Sequence, residues 1–138
     1  MSVFLITASS VIFSIGIHYE VLALLSRVTA RLKIIPRLRV GVAIVVVLIA
    51  HLFEIAVFAC GYFFLTNSGI SKFSSGATEF KEMFYFSILT YTSLGFGEIT
   101  PLGDIRIAAG VEALTGLVLI AWTASFSFLQ MKRYWRDV

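Results

Sequence analysis

The residues best suited to chemistry lie in one short stretch, Thr92-Ser93-Leu94-Gly95-Phe96-Gly97-Glu98. Alternate glycines permit backbone conformations that a side chain resists, so successive carbonyl oxygens here can turn toward one side. A row of carbonyls along a narrow axis replaces the hydration shell of a cation. The chemistry implied is non-covalent. No enzymatic activity and no cofactor are expected, only a permeant ion.

A second constellation is His51 and Glu54, three residues apart and so on one face of a helix. Both fall inside an apolar run, where ionisable groups are costly and are functional candidates by default. Two readings stand: a metal or proton site, for which imidazole and carboxylate are reasonable ligands, and a hydrogen-bonded pair that packs its helix against neighbours. His18 and Glu20 are expected nearer the cytoplasmic end of the first run, at a depth unlike that of His51. Glu112 is expected behind the glycine-rich loop, bonded to the helix that precedes it or to Tyr91. Cys60, the one cysteine, cannot form an intrachain disulfide, and its apolar neighbours suggest a buried structural thiol.

The elements that must position these groups follow from the composition. The 138 residues are 59% apolar and only 14% charged, against about 25% charged in a soluble domain. A water-soluble globule and a disordered chain are both excluded. Three apolar runs, 3–25, 38–66 and 105–129, each exceed the roughly 20 residues that cross a hydrocarbon core. A fourth, 84–96, is too short to span and suits a re-entrant element. Its helix is expected to run from about residue 79 to Tyr91, capped by Thr78 or a nearby serine and complemented by Glu79 and Glu82. The partial negative charge of its far end then faces the membrane interior, where a cation is the natural guest.

The net charge of +3 does not point to nucleic acid, because the charges flank the apolar runs. Arg27, Arg31, Lys33, Arg37 and Arg39 lie between the first two runs, and Lys132, Arg133 and Arg136 follow the third. From the end of the second run to the start of the third, Glu79, Glu82, Glu98 and Asp104 outweigh Lys72, Lys81 and Arg106. The positive-inside rule puts the basic linker and the C-terminus in the cytoplasm, and the 67–104 region and the N-terminus outside. The first run lacks a basic leader and is read as a retained helix rather than a signal peptide. Residues 69–76, rich in serine and glycine, read as an exposed loop. Trp135 beside Lys132 and Arg133 reads as an interfacial anchor. No run carries an arginine ladder, so no intrinsic voltage sensor is expected.

Residues 92–98 resemble the signature of potassium channels, whose usual form is T-T-V-G-Y-G-D. The likeness extends to the aromatic-rich segment before the loop, Pro101 after it, and Arg106 and Gly116 in the last run, covering roughly 77–130. The chain thus resembles a small bacterial-type subunit of the pore-loop superfamily (two transmembrane helices and a pore helix, tetrameric) with an extra N-terminal helix.

That resemblance implies an all-α membrane protein: three transmembrane helices plus a re-entrant pore helix and selectivity-filter loop, four copies around one conduction path. Residues 1–37 would form the N-terminal helix and basic linker, and 38–138 the pore domain. Carried over position by position, Ser93, Leu94, Gly95, Phe96 and Gly97 form the filter. Carbonyls of Ser93, Leu94, Gly95 and Phe96 bind K⁺, with the Ser93 hydroxyl at the innermost site. Thr92, Tyr91, Glu98 and Glu112 support the filter, and Gly116 is a candidate gating hinge, with close helix packing as its alternative. The partners implied are K⁺, three further copies and membrane lipid of the cell (inner) membrane. Serine for threonine, Leu94 for valine, Phe96 for tyrosine and Glu98 for aspartate are departures from the usual signature. They leave open a weakly selective cation channel, and a non-conducting membrane metal or sensor protein built on His51 and Glu54 stands as a rival.

Overall fold

The computed structural model describes residues 1–31 and 34–134, so Lys33, Trp135 and Arg136 lie outside the described residues. The described chain is an all-α membrane protein. Three helices are long and apolar enough to cross a bilayer: α1 (Ser2–Arg31), α2 (Pro36–Asn67) and α4 (Ile105–Tyr134). Between α2 and α4 lies the 12-residue helix α3 (Phe80–Tyr91), about 18 Å long at helical rise. Pro36 opens α2, where its missing N–H costs nothing.

The long helices alternate in direction. At one end Val3 packs with Phe58, Tyr62 and Leu65 of α2 and with Ile105 and Ala108 of α4. Toward the other end Leu22 and Leu25 of α1 meet Ala43 and Val47 of α2 and Phe126 of α4. The N-terminus therefore shares an end with the α2–α4 connection, where residues 1–3 adjoin 69–72 and 102–104. At the opposite end the Arg39 guanidinium lies 5.2 Å from the Tyr134 ring centre. Helix α3 starts in the first cluster through Met83 and Phe86. It finishes at mid-height, where Tyr91 packs with Ile55 and Leu119. It enters from one side and stops partway.

Both ends of α3 are capped by local bonds. The N-cap is Glu79, not Thr78 or a serine. The Glu82 carboxylate reaches back and accepts from the backbone N–H groups of Thr78 (3.0 Å) and Glu79 (2.9 Å), as in a capping box. At the other end the Ser93 N–H donates to Thr90 O and the Leu94 N–H to Leu89 O, both at 2.9 Å. With Ser93 at φ 57°, this is a Schellman cap whose left-handed position is filled by serine instead of the usual glycine.

The 69–76 segment is exposed apart from Ser71 and Phe73. Strand β1 (Lys72–Phe73) pairs antiparallel with β2 (Pro101–Leu102), Lys72 opposite Leu102 and Phe73 opposite Pro101. The pairing turns Phe73 inward against the edges of Tyr62 and Phe86, the one aromatic anchor of the loop. Cys60 is also corrected: it is exposed on α2, as are Phe53 and Phe64. Apolar neighbours describe a lipid-facing surface as well as a buried one.

Candidate functional site

The glycine-rich loop leaves α3 at mid-height and is exposed from Thr92 to Glu98. Every second residue in it has positive φ: Ser93 at 57°, Gly95 at 119° and Gly97 at 60°. Leu94 between them is 78% exposed on the single chain, so the loop has no packing of its own on that side. On the other side Phe96 stacks on Phe86 of α3, ring centres 5.7 Å apart and 19° from parallel. Thr92 turns its hydroxyl back to the Ile88 carbonyl at 2.8 Å. The return limb is tied down where Ser74 N–H donates to Thr100 O at 2.9 Å, beside the β1–β2 pair.

Behind the loop, α3 is fixed by three separate contacts. Gly116 of α4 lies against the last peptide of α3, so close that a Cβ there would stand 2.1 Å from the Tyr91 carbonyl oxygen. Close packing is thus the contact that requires glycine at this position, and α4 runs unbroken through it. Nearer the loop-connection end, Glu112 is fully buried. It accepts from the Tyr62 hydroxyl at 2.6 Å and from the Ser87 hydroxyl, which also lies 2.9 Å from the Ile55 carbonyl. One carboxylate so joins α2, α3 and α4. Glu112 reaches α3 through Ser87 rather than Tyr91, whose hydroxyl donates to Glu54 instead.

Glu54 is the hub of the third contact. Its buried carboxylate meets His18 Nδ1 at 3.0 Å, His51 Nδ1 at 2.9 Å and the Tyr91 hydroxyl. His51 Nδ1 is also 2.9 Å from the Tyr91 oxygen, and its Nε2 is 2.9 Å from Thr123 Oγ1 of α4. The network touches all four helices.

The place of His18 overturns the expectation that its depth differs from that of His51. The apolar run ends near residue 25, but α1 continues through Arg27 to Arg31, so His18 sits well inside the helix. Pairing antiparallel with α2 brings it to Glu54, and Trp122 covers its ring at 5.3 Å. Glu20 stays exposed. The available signal was the stripe Ser10, Ser14, His18 and Leu22, four residues apart and all buried.

No curated protein and no solved structure matches the chain. A family model described as "Ion channel" matches residues 42–132, which run from the second turn of α2 through α3 and the glycine-rich loop into α4. With three apolar helices around a re-entrant one and a match over well over half its length, the chain belongs to the ion channel family.

Proposed function

We propose that the chain forms a homotetrameric channel that conducts K⁺ passively and selectively, with residues 93–97 as its filter. The observation that carries this reading is the alternation of positive φ at Ser93, Gly95 and Gly97. In an ordinary strand successive carbonyls point to opposite sides. Alternating the handedness of successive residues turns them toward one side, the arrangement that strips and coordinates a cation. One subunit supplies one wall of such a path, and the exposed face of the loop is where closed cyclic symmetry would bring the other walls.

The α3 macrodipole adds to this. Its C-terminal end, carrying partial negative charge, points to mid-height beneath the loop. In the proposed orientation the N-terminus and the 67–104 region are outside, and the C-terminus is in the cytoplasm. The flanking basic residues support it, as does the shared end of residues 1–3 and 69–72. A bacterial-type inner membrane is the proposed location.

One observation favours weaker discrimination. Phe96 holds to α3 by ring stacking alone, with no hydroxyl to fix the loop's diameter against Na⁺. Purified chain in liposomes, given K⁺ and then Na⁺ gradients, tests both readings. Flux under K⁺ with little under Na⁺ is the expected result. Equal flux of the two ions supports the weakly selective reading, and no flux of either rejects conduction.

A further inference from the structure

We infer that His18, His51 and Glu54 form a binding site for a Zn²⁺-class divalent metal ion that fastens α1 to the pore-forming helices. The chain has two histidines, and both converge on one buried carboxylate from different helices. The candidate ligand atoms of the three residues lie within 4.8 Å of one another, and the two imidazole–carboxylate separations are 3.0 and 2.9 Å. Neighbouring ligands around a tetrahedral zinc stand about 3.3 Å apart, given bonds of roughly 2.0–2.1 Å. Small side-chain shifts suffice. Two imidazoles with one carboxylate suit zinc and its transition-metal neighbours, whereas Mg²⁺ and Ca²⁺ take oxygen ligands. The Tyr91 hydroxyl or a water would complete the shell.

Hydrogen counting around Thr123 is compatible with such an ion. If both rings are neutral and both Nδ1 atoms donate to Glu54, both Nε2 atoms are bare acceptors. These lie 2.9 Å (His51) and 3.5 Å (His18) from the Thr123 oxygen. A single threonine hydrogen can serve only one of them, a conflict that either a proton on one ring or a metal ion removes. With a metal on the two Nδ1 atoms, both Nε2 atoms carry hydrogen and both donate to the threonine oxygen, which has two lone pairs. Thr123 then acts as the outer partner that fixes each ring's tautomer, as metal-bound histidines generally require. Access is from the edge where Thr123 is half-buried and His51 is 9% exposed.

The site draws on α1, which lies outside the family match at 42–132. Metal binding is therefore measured apart from conduction, and either can fail alone. The experiment uses the full chain without a histidine tag, stripped with chelator in detergent and titrated with Zn²⁺, then with Co²⁺ as a visible probe. One ion per chain is expected, with tetrahedral Co²⁺ absorption and an X-ray absorption spectrum showing imidazole scattering. Imidazole in that shell can come only from His18 and His51. His18→Gln and His51→Gln should each weaken binding at least about tenfold, and Thr123→Ala about tenfold through the outer shell, with helicity and elution volume checked for each. Zn²⁺ should also raise the thermal midpoint of the wild-type chain and not that of His18→Gln. Wild-type protein that binds no Zn²⁺, or binds it without imidazole, overturns the proposal whatever the variants do.

Discussion

Gly116 and Tyr91 are in backbone contact: a Cβ on the glycine would come within 2.1 Å of the tyrosine carbonyl oxygen and 2.9 Å of its carbon. The same tyrosine gives its hydroxyl to Glu54 of α2. The last residue of α3 is therefore gripped from α4 by shape and from α2 by a hydrogen bond, one residue before the loop begins. Loop position is then set by the helices rather than by the loop.

Gly116→Ala should destabilise the protein by about 1–3 kcal/mol, the usual penalty for overpacking, because the neighbour is backbone and cannot swing aside. Gly110→Ala is the control, since nothing lies within 4 Å of its added methyl. The check is thermal unfolding of both variants in detergent. Gly116→Ala with wild-type stability but altered gating would favour the hinge reading over packing.

Glu112 joins three helices through two hydroxyls, so its shape matters as much as its charge. Glu112→Gln keeps an acceptor for Tyr62 and offers Ser87 a donor, and should lose little stability. Glu112→Leu leaves the buried Tyr62 hydroxyl without its partner, at about 1–3 kcal/mol, and cuts the tie from α4 to Ser87, whose hydroxyl keeps the Ile55 carbonyl. Comparing thermal midpoints and flux of the two variants checks this; equal loss in both would mean that charge, not bonding, is what α3 needs.

The spans, the short re-entrant helix and its end at Tyr91 were legible in the sequence because each rests on a local property, apolar length or a glycine-rich break. Helix partners were not. His18 pairs with Glu54 through a register between α1 and α2, and register depends on how far each helix continues past its apolar run. Cys60 failed for a related reason: in a membrane, apolar surroundings do not separate a core face from a lipid face. Phe73 was hidden by its polar neighbours, and only its pairing across to Pro101 turns it inward. The Schellman cap at Ser93 was missed because serine does not advertise a left-handed position as glycine does.

The two loop glycines should differ in their tolerance of alanine. Gly95 has φ 119°, a region essentially closed to side chains. Gly97 at φ 60° sits in the left-handed well, which costs an alanine about 1–2 kcal/mol, with Leu89 Cδ1 at 3.0 Å from the added carbon. Gly95→Ala should abolish K⁺ flux, and Gly97→Ala should reduce flux or selectivity. Liposome flux assays of both decide the matter, and wild-type K⁺ flux and selectivity in both variants would sink the filter assignment.

Glu98 is exposed at the end of the loop. In the proposed tetramer four such carboxylates ring the outer mouth, where acidic rings concentrate cations. The attraction acts through water and is screened beyond about 10 Å at ~0.1 M salt. Glu98→Gln should therefore lower single-channel conductance at low KCl and leave it nearly unchanged at high KCl. The competing role is a brace: the carboxylate would bond to α3 and hold the loop's shape. A brace does its work at every ionic strength, so its loss would reduce selectivity or hasten inactivation in low and high KCl alike. Recording the variant at both concentrations separates the two, and conductance unchanged at low KCl would remove the ring from the mechanism.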